Sequence, residues 1–234
     1  MLKRVWIPSP NYSSRSESGV RLIVLHTAEG ARTYQSLGSY FQGDVGASSH
    51  TGADDTPNTV GEYVHRQDKA WTCGNYNSVS VNIELCGFAA WSTDEWHRHP
   101  NMLANCAAWI AEEAEFYGIP IERLTASEAQ SDGWGVCQHA DLGQAGGGHW
   151  DCGSGFPMQE VLTMARGGSP APPTPEEYMA IAAAVAANGN LHVFVEAKDG
   201  DIFYTYQKKN ESAWAGGKQG ERIAGLSFFA PAPK

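Results

Sequence analysis

The sequence predicts an α/β domain over residues 1–166, followed by a small, mostly β module. Three observations carry that reading. Short apolar runs alternate with helix-like stretches up to residue 166, the order expected of a sheet covered by helices. A Gly- and Pro-rich stretch, Gly-Gly-Ser-Pro-Ala-Pro-Pro-Thr-Pro at 167–175, then reads as an extended linker. Beyond it, in 176–234, strand-like runs predominate.

Each element has a local reason. Residues 20–28, Val-Arg-Leu-Ile-Val-Leu-His-Thr-Ala between Gly19 and Gly30, read as a buried strand ending at a histidine. Residues 31–41 suit a helix. Residues 48–53 and 60–65 suit a hairpin across the turn-rich Asp54-Asp55-Thr56-Pro57-Asn58. In 79–85 the apolar Val79, Val81, Ile83 and Leu85 alternate with Ser80, Asn82 and Glu84, which puts Glu84 on the face opposite the apolar set. A helix is expected from an N-cap at Thr93, with a pause at Pro100, to Gly118. Residues 136–139 form a second short strand ending at a histidine, 141–155 a glycine-rich loop, and 156–165 a closing helix. In the tail an Ala-rich helix is expected at 176–187 and strands at 191–197, 201–207 and 222–229. Lys198-Asp199-Gly200 makes the turn between the first two of these strands.

Composition excludes several classes of function. The 234 residues are 42 % hydrophobic and 18 % charged, as in a folded protein, with a net charge of −10. Residues 1–169 carry 10 Lys/Arg against 19 Asp/Glu, so no basic face is available for nucleic acid. No run approaches the roughly 20 apolar residues of a membrane span. The start, Met-Leu-Lys-Arg-Val-Trp-Ile-Pro-Ser-Pro, lacks the apolar segment of a signal peptide, which predicts synthesis in the cytosol. The five cysteines follow no CxxC or even spacing and are expected to be mostly reduced and packed, with one disulfide left open.

Eight histidines are present. A hydrolytic zinc site needs three protein ligands, a fourth position open to water and a nearby base. His26 and His139 each end a strand, and Asp151 follows in the glycine-rich loop. Spacing alone leaves them open to a packing role. His97 and His99 lie two apart and do not share a helix face, which speaks against a metal there. A Gly-x-Ser-x-Gly nucleophile motif and an HExxH zinc motif are both absent.

The blocks Val24-Leu25-His26-Thr27-Ala28, Ser49-His50-Thr51-Gly52-Ala53, Ala70-Trp71-Thr72-Cys73-Gly74 with Asn77, Ser80-Val81-Asn82-Ile83-Glu84-Leu85-Cys86-Gly87, Gln138-His139-Ala140-Asp141 and His149-Trp150-Asp151-Cys152-Gly153 stand in order along residues 1–166. Together they resemble the type-2 N-acetylmuramoyl-L-alanine amidase family, which includes phage endolysins and peptidoglycan-recognition proteins. The resemblance implies a central mixed sheet flanked by helices and a zinc ion held by His26, His139 and Asp151. Cys152 fills the place of the family's proline and is the rival for the third ligand. Glu84 matches the catalytic glutamate. His149 stands where many relatives have an oxyanion-stabilising lysine, and His50 is implied to be structural. Trp71, Asn77 and His65 are expected to bind substrate. The implied substrate is bacterial peptidoglycan, cut between muramic acid and L-alanine by an endolysin made in the host cytoplasm and released with a holin's help. The competing readings are a non-catalytic peptidoglycan-binding protein and a zinc peptidase acting within stem peptides. Residues 188–207 resemble one repeat of a lectin-like β-propeller. One blade cannot bury its faces alone, which implies packing on the first domain or self-association. A module after a Pro-rich linker fits an endolysin tail that binds the wall, or a domain-stabilising appendage.

Overall fold

The computed structural model describes residues 2–15 and 19–168, together with the backbone of five strands between residues 178 and 222. The chain divides into two compact units, Met1–Gly167 and Gly168–Lys234. In the first unit the strands are β1 (Lys3–Trp6), β2 (Tyr12–Ser14), β3 (Leu22–Thr27), β4 (Thr51–Ala53), β5 (Thr59–Glu62), β6 (Asp68–Ala70), β7 (Ser80–Leu85) and β8 (Gly135–Gln138). The helices are α1 (Tyr34–Phe41), α2 (Thr93–His97), α3 (Pro100–Tyr117), α4 (Ala126–Gln130) and α5 (Met158–Ala165).

Six strands form one mixed sheet in the order β1-β5-β4-β7-β3-β8, in which only the β4–β5 hairpin is antiparallel. β3 is buried along its whole length, as an interior strand between β7 and β8 of a covered sheet should be. Its period-2 alternation sorts the core. Ile23 and Leu25, with Val81, Ile83 and Leu85 of β7, pack under α3 and α5. Leu22 and Val24 face the other way, against Cys73, Leu124, Cys137 and Leu142. Trp109 and Ile110 of α3 are fully buried, each contributing about 1.5–3 kcal/mol by leaving water. The helix stops at Gly118, whose φ of 68° is the left-handed cap a β-carbon would strain.

Several boundaries differ from the sequence expectation. The N-cap of α2 is Ser92, whose side chain accepts the Glu95 N–H, so Thr93 is the first helical residue. The chain does break at Pro100, which opens α3 as a separate helix. The loop expected at 141–155 begins as a 3-10 helix spanning His139–Gly146. Strands β1, β2 and β6 were not foreseen. The first carries Lys3 and Arg4 and is held at the sheet edge by Arg4 to Glu112 and Glu113 of α3. All five cysteines are free and buried. Among the described residues no helix is long and apolar enough to cross a membrane.

The second unit is a sheet of β9 (Tyr178–Val185), β10 (Leu191–Ala197), β11 (Ile202–Gln207), β12 (Trp214–Ala215) and β13 (Glu221–Arg222). The order is β12-β11-β10-β9, with β13 also paired to β11, and all pairs are antiparallel. The helix expected at 176–187 is instead β9, paired residue by residue with β10. Pairing to an aromatic, β-branched neighbour overrides the helix preference of its alanines. Of the strand expected at 222–229, residues beyond Arg222 lie outside the described residues, as do those of the linker after Gly168.

Candidate active site and metal centre

The same alternation that builds the core delivers the chemistry. On the face carrying Leu22 and Val24, the next residue of β3 is His26. On β7 the matching face carries Ser80, Asn82 and Glu84, and His26 is paired directly with Glu84. On β8, Cys137 pairs with Val24, and two residues on stands His139. Three neighbouring parallel strands thus raise His26, Glu84 and His139 at their carboxyl ends, where open α/β sheets hold their ligands. The loop after Gly146 returns Asp151 to the same place.

Ligand atoms of His26, His139 and Asp151 lie within 4.8 Å of one another, and all three residues are buried. The two Nδ1 atoms are 2.9 Å apart, and the Asp151 carboxylate stands 3.6 Å from that of His26 and 3.4 Å from that of His139. Each far nitrogen faces an acceptor: His26 Nε2 meets Asn82 Oδ1 at 3.0 Å and His139 Nε2 meets the Gly146 carbonyl at 2.9 Å. The Nε2 positions therefore carry the hydrogens of the neutral rings, and both Nδ1 lone pairs point at one spot beside a carboxylate. Lone pairs so opposed repel unless a cation or proton lies between them. Burial holds the His26 pKa down, which keeps its ring neutral as metal ligation requires. For Asp151 burial pushes the other way, but a proton held at Nδ1 of the His139 or His26 ring in place of the cation outweighs it and holds the carboxyl below the usual range. Two imidazoles and a carboxylate with an open side are a donor set that fits a catalytic zinc.

Cys152 stands elsewhere. It is fully buried among the residues under α3 and α5, and burial holds its thiol well above the ordinary value. Asp151 is also held from behind, by the Thr27 N–H at 3.3 Å.

Glu84 is half-buried at the edge of a groove of about 920 Å³ that also holds the His26, His139 and Asp151 cluster. Burial, then the nearby Asp151 and Glu29 carboxylates, push its pKa up to about 8. On the same face of β7, Ser80 and Asn82 are fully buried, so this face reaches the groove at Glu84. His149 lines the same groove, stacked on His139 with ring centres 4.4 Å apart and its Nδ1 3.8 Å from Asp151. The far wall is the segment from Thr27 to Thr33 and one face of α1, Ser36, Leu37, Tyr40 and Phe41.

Of the expected substrate contacts, none lines this groove. Trp71 is half-exposed, with its indole N–H on Ser13, and its neighbour Thr72 is the residue that reaches the groove wall. Asn77 accepts the backbone N–H groups of Thr72 and Cys73, which shapes that loop from within. His65 is exposed and stacks on Trp6 at 4.1 Å. His50 is buried behind the cluster. Its Nδ1 accepts the Asn82 N–H at 3.1 Å, and burial followed by the Arg15 charge lowers its pKa to about 3. His97 meets Glu160 and His99 meets Asp55, and among the described residues neither belongs to a group that could hold a metal.

Two supporting residues escaped the sequence reading. Asn82 links His50 to His26, and its place two residues before Glu84 on the same face was the available signal. Glu29 adopts a left-handed φ of 53°, and its Oε1 takes the Thr27 hydroxyl at 2.6 Å and the Ala89 N–H at 2.7 Å. That carboxylate ties the groove wall at Thr27 to the loop at Ala89, and nothing in the sequence marked it.

The sequence profile of the Amidase_2 family, described as N-acetylmuramoyl-L-alanine amidase, matches residues 16–154. No curated protein matches the chain. Among solved structures, a selenomethionine derivative of AmpD superposes with a TM-score of 0.50 at 19 % identity, covering 70 % of this chain and 93 % of its own. The N-acetylmuramoyl-L-alanine amidase LysC from Clostridium intestinale URNW does so with a TM-score of 0.50 at 14 % identity, covering 72 % of this chain and all of its own. At such identities the likeness is one of fold.

Proposed function

The chain belongs to the N-acetylmuramoyl-L-alanine amidase family, and from that premise we propose that it cuts peptidoglycan between N-acetylmuramic acid and L-alanine as a zinc-dependent endolysin. The observation that carries the reading is the convergence of His26, His139, Asp151 and Glu84 in one groove. His26, His139 and Asp151 would hold zinc, a Lewis acid that acidifies water towards a pKa of roughly 7 and polarises a carbonyl.

The chain's own residues do the rest. Glu84 takes the proton of the water that attacks the lactyl carbonyl, and the burial that raises its pKa fits it to hold that proton near neutrality. It then gives the proton to the departing L-alanine nitrogen, which cannot leave as an anion. His149, on the open side of the cluster, donates a hydrogen bond to the oxygen that gains charge. Asn82 and the Gly146 carbonyl fix the ligand tautomers, so no reorganisation is needed as charge develops. Trp71, Asn77 and His65 stand outside the groove, so any part they take is in shaping its rim or meeting substrate beyond it.

In this reading the 167–175 segment is a spacer and the second unit a wall-binding or self-associating module that raises local concentration at the substrate. The phage origin, the host-lysis role and the holin-assisted release belong to the same proposal. A paired assay tests it: metal analysis of the purified chain alongside release of L-alanyl peptides from a soluble muropeptide. One zinc per chain with such release is expected. Release that persists after complete zinc removal would sink the metal assignment.

A further inference from the structure

The groove holds a cation whose hydrogen bonds the fold leaves unused. Residues 1–169 contain eight arginines. Seven have acceptors: Arg4 and Arg66 meet Glu113, Arg98 meets Glu95, Arg123 meets Asp141, and Arg15, Arg21 and Arg166 donate to backbone carbonyls. The eighth, Arg32, is exposed in the groove wall with its guanidinium carbon 4.5 Å from the centre of the Phe88 ring. Among the described residues no carboxylate or carbonyl receives its N–H groups. The nearest acid along the chain, Glu29, has one oxygen committed to Thr27 and Ala89.

A ring contact of this kind fixes the guanidinium without using any of its five donors, so the fork is held ready for an external partner. The partner that matches a guanidinium fork is a carboxylate, taken bidentately. In the muramoyl-peptide unit the carboxyl of muramic acid is consumed in the scissile amide, and its sugars are neutral. The free anions lie on the peptide side. The nearest is the α-carboxyl of a second-position glutamate linked through its γ-carbon, a group that walls carry either free or amidated.

We propose that Arg32 is a specificity-determining residue that binds this peptide carboxylate and selects substrates in which it is free over those in which it is amidated. The inference rests on the amidase reading. In a domain with 19 acidic residues against 10 basic ones, such a cation also offsets the repulsion an anionic peptide would meet.

The test uses the full chain, two soluble muramoyl tripeptides differing only in that carboxylate or carboxamide, and the variants Arg32→Gln and Arg32→Lys. The wild type should favour the carboxylate by roughly 10- to 100-fold in kcat/KM, mostly through KM, as expected of charge-assisted hydrogen bonds. Arg32→Gln should bring the ratio close to one, and Arg32→Lys should restore part of it. Equal use of both substrates by the wild type, or an equal loss on both in Arg32→Gln, overturns the proposal. Calorimetric binding of the same two ligands separates the two failures. If neither is cleaved, the amidase reading fails, while a carboxylate preference in binding that Arg32→Gln abolishes still upholds Arg32, and equal binding rejects it.

Discussion

Replacing Asn82 with alanine tests how the metal centre is held. Asn82 is fully buried, and its Oδ1 is the only acceptor within reach of His26 Nε2–H among the described residues, at 3.0 Å. In the variant that N–H is left buried and unpaired, which costs about 1–3 kcal/mol. The ring can escape by moving its proton to Nδ1, beside the Asp151 carboxylate at 3.6 Å. Nδ1 is the atom facing the cluster, so the escape forfeits a ligand. Zinc binding must then drive that proton back to Nε2, at a cost of the same size. At about 1.4 kcal/mol per tenfold, affinity should fall by roughly 5- to 150-fold, which brackets the 10- to 100-fold typical of outer-shell partners of metal-bound histidines. Competition with a chromophoric chelator at neutral pH measures it, with circular dichroism as the check on folding. Asn82→Asp keeps the acceptor and should keep most of the affinity. A folded Asn82→Ala protein that binds zinc within about twofold of wild type would refute the argument that the second nitrogen's partner sets the ligand tautomer.

Other outcomes follow from the same geometry. Glu84→Gln should keep its zinc and lose turnover by about 10²-fold or more, read in a soluble-substrate assay. Because the Glu84 pKa is raised to about 8 in the metal-free fold, the native state there binds the proton more tightly than the unfolded chain. Metal-free wild type should therefore lose stability as pH rises from the ordinary carboxylate range to about 8, and thermal melts of Glu84→Gln should lack that component. Asp151→Ala should abolish zinc binding. Cys152→Ala should retain it at a stability cost of about 1 kcal/mol in urea unfolding, because its thiol packs in the core and does not face the cluster. Removing residues 170–234 should leave zinc content and soluble-substrate turnover intact and weaken pull-down on purified walls. Equal wall retention would dispose of a targeting role.

What was legible in the sequence was whatever depends on period. The alternation in β7 set Glu84 on the face opposite its apolar residues, the apolar run of β3 set His26 at a strand end, and the ordered motif blocks supplied the family. Asp151 over Cys152 was an open choice of register, because the loop after Gly146 has no period to fix it; burial of the thiol beneath α3 and α5 is a tertiary fact. Trp71, Asn77 and His65, expected at the substrate from the motif blocks, stand outside the groove lining. Asn77 serves its own loop's backbone and His65 finds Trp6, partners that no local pattern encodes. The alanines of 178–185 read as helix because intrinsic propensity is local, whereas β9 forms by pairing with β10. Arg32 and Glu29 carried no signal, since their meaning lies in which partners they have and lack.

The most direct test of the central claim is to digest purified cell walls with the full chain and determine by mass spectrometry which new ends appear. Cleavage at the proposed bond predicts free muramic acid carboxyl groups and free L-alanine amino groups in equal amounts, both lost with Glu84→Gln. New ends within the stem peptide or between sugars, or no new ends from a folded, zinc-loaded protein, would contradict the account.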